Sequence, residues 1–142
     1  MNEREKLAYM VGLLDGEGNI RIDLRKDKRG FNQHHARMTI VNTDKRMIDW
    51  LLENYGGYMW MRDHSHNPKW KNVYFWIKTI GREHVKLIDD MLEFSIIKHE
   101  RLVLFKEFLE TKSTNGVPIT DDAREKRDKI MVELNGLNKR GI

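Results

Sequence analysis

A strand–strand–helix block that occurs twice behind an opening helix predicts an α+β chain of order αββαββα, with a four-stranded antiparallel sheet and C-terminal helices. Three observations carry that prediction. The stretch "EREKLAYMVGLL" has apolar residues at helical spacing, two segments then alternate with a period of two, and the same succession returns after Gly56 and Gly57.

The first helix reads from Glu3 to Leu14, with Leu7, Met10, Val11 and Leu14 on one face. Its other side is not properly polar, because Ala8 and Gly12 lie four apart with Tyr9 and Leu13 beside them. Such a helix is expected to bury two sides, one in its own domain and one against a second helix that the small residues let come close. After Gly18, Ile20, Ile22 and Leu24 alternate inward against Arg21, Asp23 and Arg25. "KDKRG" turns the chain, and "NQHHARMTIVN" returns with Ala36, Met38 and Ile40 inward and His35, Arg37, Thr39 and Val41 outward. Thr43 or Asp44 caps a helix to about Asn54, which Gly56 and Gly57 end.

In the second block "GYMWMRDH" and "KWKNVYFWIKT" read as a hairpin with Val73, Phe75 and Ile77 inward, which sets Asn72, Tyr74, Trp76 and Lys78 outward. A helix follows from about Gly81 to Leu92, then one from Lys98 to Thr111, and a last one capped by Thr120 and ending at Lys139 and Arg140.

At 142 residues the chain is expected to be one domain, 1–142. Its 26 lysines and arginines against 22 acids give +4, which suits a surface for a polyanion. With no cysteine, disulfides, thiol catalysis and Cys-containing zinc sites are excluded. No apolar run approaches the roughly 18 residues that span a bilayer, and "MNEREKLAYM" mixes acids and bases unlike a signal peptide. An intracellular protein without a membrane partner is expected, in cytoplasm or in an organelle.

Three places could carry chemistry. Asp15 and Glu17 stand at the foot of the first helix, where the dipole is negative and carboxylates are disfavoured unless a cation compensates. A glycine-assisted turn with solvated acids is the plain alternative. An EF-hand is excluded because its sixth and twelfth positions fall on Ile20 and Lys26. The outward parity of the strands mixes Arg, His, Asn and aromatic groups, a composition suited to reading base edges in the major groove, with Lys26, Lys28, Arg29, Lys69 and Lys71 at hairpin tips for phosphates. Lys98, a cation near a predicted helix start, is either an exposed lysine tolerated there or a functional group. The six histidines show no zinc spacing and read mostly as surface groups.

"MVGLLDGEG", Met10 to Gly18, resembles the nine-residue motif of the LAGLIDADG homing endonucleases. Gly12, Leu13, Asp15 and Gly18 are identical, Leu14 replaces isoleucine and Glu17 replaces the final aspartate. The motif occurs once, which resembles the half-enzymes of that family that homodimerise through the motif helix, here Ala8, Val11 and Gly12. The resemblance implies Mg²⁺- or Mn²⁺-dependent hydrolysis of double-stranded DNA at a long, roughly palindromic site. It makes Glu17 the metal-binding acid, Asp15 a more structural acid beside it and the carbonyl of Gly16 a further metal ligand. It also places Lys98 near the scissile phosphates and Asn42 or Asp44 as the water-ordering residue. The alternative is an RNA-binding intron maturase or a non-cleaving DNA-binding protein of the same fold.

Overall fold

The computed structural model describes residues 1–111 and 119–139; Arg140, expected at the end of the last helix, lies outside them. The elements are α1 (Glu3–Glu17), β1 (Gly18–Lys26), β2 (Asn32–Asn42), α2 (Lys45–Tyr55), β3 (Tyr58–Arg62), β4 (Val73–Ile80), α3 (Val85–Leu92), α4 (His99–Glu110) and α5 (Asp121–Lys139). A single 3₁₀ turn, Arg82–His84, leads into α3. α1 begins with a capping box, in which the Asn2 side chain accepts from the Glu5 amide and the Glu5 carboxylate accepts from the Asn2 amide. Such an N-terminus stabilises a helix by about 1 kcal/mol.

All pairings in the sheet are antiparallel and the strand order is β1-β2-β4-β3. The helices pack on one face of it, α1 over β1 and β2, α5 over β1 and α2 over β2 and β4. Between the layers lie Met10, Val11 and Leu14 of α1, Ile20 and Ile22 of β1, Ala36, Met38 and Ile40 of β2 and Phe105, Phe108 and Leu109 of α4, all fully buried. Each of these side chains larger than alanine contributes on the order of 1.5–3 kcal/mol when removed from water.

Two expectations are corrected. Val11 belongs to this core, so it is not on the outer face of α1; at i+4 from Leu7 and i−3 from Leu14 it shares their stripe. The parity of β4 is also reversed. Trp76 is fully buried opposite Ile40, while Val73, Phe75 and Ile77 lie on the side away from the helices. The reason is at the end of α2, whose last turn has no basic residue. Its carbonyls are answered from β4: the Trp76 indole N–H donates to the Gly56 carbonyl at 2.7 Å and the Lys78 ammonium to that of Tyr55 at 2.6 Å. Gly57, at φ +86°, makes room, since a Cβ there would stand 2.5 Å from the Ile77 carbonyl oxygen and 3.1 Å from the Trp76 indole nitrogen. "VYFWIKTI" is apolar on both parities, and Ile80, 1% exposed and two steps of two from Trp76, lies on the buried one.

Candidate active site and nucleic-acid interface

The Asp15 carboxylate faces the start of α4. Its Oδ2 accepts the amides of Ile96 at 2.8 Å and Ile97 at 3.2 Å, and its Oδ1 accepts that of Lys98 at 3.1 Å. It serves as the N-terminal cap that α4 lacks from its own sequence, since Lys98 at the cap position makes no side-chain cap. Lys98 returns the favour by donating its ammonium to the Asp15 carbonyl at 2.6 Å. Both residues that looked misplaced on their helix dipoles are thereby matched to the opposite helix. Both Asp15 oxygens accept amides, which places it in a capping role.

At the foot of α1 the Leu14 carbonyl receives the Gly18 amide and the Asp15 carbonyl receives Lys98. Gly16 helps line a cavity of about 620 Å³ together with Asp15, Asn19, Lys98, Arg101 and Asn138, and the exposed Glu17 follows it in the chain. Lys98 and Arg101 are 7% and 4% exposed. Arg101 donates to the Leu137 carbonyl at 3.2 Å, and its Nε has no partner among the described residues. Burial and the neighbouring Arg101 charge hold the Lys98 ammonium below the ordinary lysine pKa. Asn138 donates to the Ile20 carbonyl at 2.9 Å, tying α5 to β1 beside the cavity. Neither Arg101 nor Asn138 was singled out from sequence; a lone Arg or Asn on a helix carries no signal until the fold brings α4 and α5 to β1.

Asp44 is the N-cap of α2. It accepts from the Arg46 amide at 3.0 Å and from the Arg46 guanidinium at 2.7 Å, and these bonds hold its pKa at about 2. Asn42 accepts the Asp44 amide at 2.7 Å. Since Gly18 pairs with Ile40, Asn42 lies two residues further along β2 toward Gly16. Among the described residues no group of three His, Cys, Asp or Glu side chains is placed to hold a metal ion.

The face of the sheet away from the helices carries Arg21, Asp23 and Arg25 on β1 with His35, Arg37 and Thr39 on β2, as the alternation predicts. Arg21 and Arg37 stand opposite one another and share Asp23, whose oxygens lie 3.2 Å and 3.4 Å from their nitrogens. Asn19 and Gln33 share this face and were missed, although they sit on the same parity. The tip residues Lys26, Lys28, Arg29, Lys69 and Lys71 are exposed. Asp27 braces the first tip by accepting the amides of Arg29 and Phe31 at 2.8 Å and 3.0 Å. The expected contacts from β4 are corrected. Tyr74, Trp76 and Lys78 sit on the helix side, and Asn72 accepts the His64 amide at 2.8 Å to close the β3–β4 connection. The second block instead presents Tyr58, Trp60 and Arg62 of β3 with Val73, Phe75 and Ile77 of β4, apart from Arg62 an apolar and aromatic surface. His34 is buried rather than superficial, with Nε2 2.7 Å from Asp128 of α5.

A motif-bearing helix and an antiparallel sheet with one face free of helices meet at a cavity backed by Lys98 and Arg101, and this is the fold of solved homing endonuclease structures. Solved structures with that fold align along nearly the whole chain. The homing endonuclease I-CvuI in complex with its target is 12% identical, matched over 94% of this chain and 82% of its own, with a TM-score of 0.75. The archaeal intron-encoded I-Vdi141I complexed with DNA is 19% identical, over 96% of this chain and 86% of its own, with a TM-score of 0.72. I-SmaMI bound to uncleaved DNA with calcium is 20% identical with a TM-score of 0.68, over 92% of this chain but 45% of its own, so this chain spans about half of it. No family model and no curated protein sequence matches. Among the described residues no helix is long and apolar enough to cross a membrane.

Proposed function

We propose that residues 1–142 form one LAGLIDADG homing endonuclease domain of the single-motif type, acting inside the cell as a homodimer. In this reading it cleaves both strands of a long, roughly palindromic duplex by Mg²⁺- or Mn²⁺-dependent phosphodiester hydrolysis. The observation that carries it is the foot of α1, where Asp15 and Lys98 satisfy each other's helices beside an open, basic-backed cavity lined by Gly16, with the Gly16 carbonyl and the exposed Glu17 carboxylate as the candidate metal donors. These donors are all oxygen and stand at the negative end of a helix, which fits a hard divalent cation. When bound, such an ion lowers the pKa of water and neutralises charge at the leaving oxygen. Glu17 is one methylene longer than the aspartate of the motif, so it reaches farther from the helix. Lys98 offsets phosphate charge from within the cavity. Asn42 is preferred over Asp44 as the water-ordering residue, because Asp44 is committed to Arg46 and to the α2 cap. Neighbours of this fold crystallised with target DNA and Ca or Mg support the reading.

Pairing is supported by the outer side of α1. A Cβ built on Gly12 or on Gly16 meets nothing within 4 Å, so packing within the chain gives no reason for glycine there. Ala8 shares that side with Gly12, while Tyr9 is 46% exposed beside them. Ile96 and Ile97, 85% and 54% exposed, extend the apolar margin from the α4 start. A second copy of α1 fits such a strip. The partner of the sheet is double-stranded DNA, with phosphates met by the tip lysines and Arg29.

The test is cleavage of a plasmid carrying the joined flanks of the reading frame, the uninterrupted form of an insertion site. Wild-type protein is expected to linearise it with Mg²⁺, and Glu17→Gln to bind without cutting. Undiminished cutting by Glu17→Gln removes the metal assignment. Binding with no cutting by the wild type in Mg²⁺ or Mn²⁺ returns the chain to the non-cleaving alternative.

A further inference from the structure

The outer face of the sheet changes chemistry between its two halves. Over β1 and β2 it carries Arg21, Asp23 and Arg37; over β4 and β3 it carries Phe75, Ile77, Tyr58 and Trp60. The apolar half is contiguous. Trp60 stands opposite Phe75 with ring centroids 4.9 Å apart, Tyr58 stands opposite Ile77, and Phe75 is in turn opposite Val41 of β2. Tyr58 and Trp60 are 52% and 50% exposed. Arg62 lies 5.7 Å from the centroids of both the Trp60 and the Phe75 rings, so the stripe is bordered by a cation.

Resting on the DNA-binding reading above, we propose that the β3–β4 half of the face selects thymine, through contact of Phe75, Ile77 and Trp60 with C5-methyl groups in the major groove. Apolar side chains cannot use the donors and acceptors on base edges, and the thymine methyl is the apolar group that a base pair presents there. The stripe is continuous with the basic half across the Phe75–Val41 pairing, so a duplex lying along the face meets both. Hydrogen-bonding groups then read one part of each half-site and methyl contacts the other. Stacking of unpaired bases suits the stripe less well. It needs an open ring face, and Arg62 already stands over both Trp60 and Phe75.

The experiment is a selection from a random duplex pool with the full chain, followed by replacement of thymidine with deoxyuridine in the enriched half-site. A cluster of A·T positions is expected. Each contacted methyl removed should weaken binding about fourfold, the equivalent of ~0.8 kcal/mol. Phe75→Ser and Ile77→Ser should each lower the thymine-to-uracil ratio, because serine offers no methyl or ring to the thymine methyl. Arg37→Gln should weaken both duplexes alike and preserve the ratio. Salt-dependent binding that is equal for thymine and uracil duplexes overturns this inference and leaves the DNA reading standing. Enrichment of no duplex, or of single strands alone, overturns both. A ratio that persists in both Phe75→Ser and Ile77→Ser overturns the assignment to this stripe.

Discussion

Lys98 donates its side-chain ammonium to the backbone carbonyl of Asp15 at 2.6 Å, while the Asp15 carboxylate accepts the backbone amide of Lys98 at 3.1 Å. Each residue caps the helix the other belongs to. α1 ends and α4 begins at the same point, and the cavity beside Gly16 is held by that exchange.

Asp15→Ala removes the acceptor for three backbone amides at the α4 start. Loss of a charge-assisted cap of this kind is expected to cost about 1–2 kcal/mol in urea unfolding. Asp15→Asn, which keeps one acceptor oxygen, should cost less. Equal stability of all three proteins would remove the capping role.

Burial sets the Lys98 pKa below its ordinary 10.5. Between the lowered value and 10.5 the unfolded chain holds a proton that the folded chain has released, so stability rises with pH across that window. Below it the cost of burying the ammonium is present in full. Lys98→Met should flatten that rise, seen as a smaller gain in denaturation midpoint between neutral pH and 10.5 than the wild type shows.

Asp44 has the opposite sign. Its pKa falls from 3.8 to about 2 through the Arg46 bonds, so its contribution is present above 3.8 and is lost as pH falls through about 2. Asp44→Asn should show a shallower loss of stability on acidification over that interval. A parallel acid limb would deny the Arg46 contact in solution.

Gly12→Ala separates folding from pairing. A helix-interior glycine is about 1 kcal/mol less favourable than alanine, and the added methyl meets nothing within the chain, so the single chain should gain up to that amount. Dimerisation should weaken, read by sedimentation equilibrium, because the methyl stands where a second α1 approaches. A dimer strengthened by Gly12→Ala would place the interface elsewhere.

Trp76→Phe tests the inverted strand. Losing the indole bond to the Gly56 carbonyl is expected to cost about 1–3 kcal/mol of stability, with unchanged affinity of the folded protein for its duplex. A tenfold or larger loss of affinity at full folding would return Trp76 to the binding face.

The sequence by itself determined the order of the elements, the inward faces of β1 and β2 except at Leu24, which is 43% exposed, and the small-residue side of α1. Those features rest on local periodicity and caps, which neighbouring residues settle among themselves. The alternation of Ile20 and Ile22 with Arg21 and Asp23 permits one orientation against an apolar core. Tertiary structure decided the rest. β4 is apolar on both parities, so its face was chosen by carbonyls at the end of α2, 20 and 23 residues earlier in the chain, that needed the donors of Trp76 and Lys78. Asp15 and Lys98 are each unfavourable on their own helix dipole and become favourable once α1 and α4 meet. Arg101 and Asn138 reach the cavity for the same reason: their neighbours there are 36 and 118 residues away, beyond the reach of any local pattern.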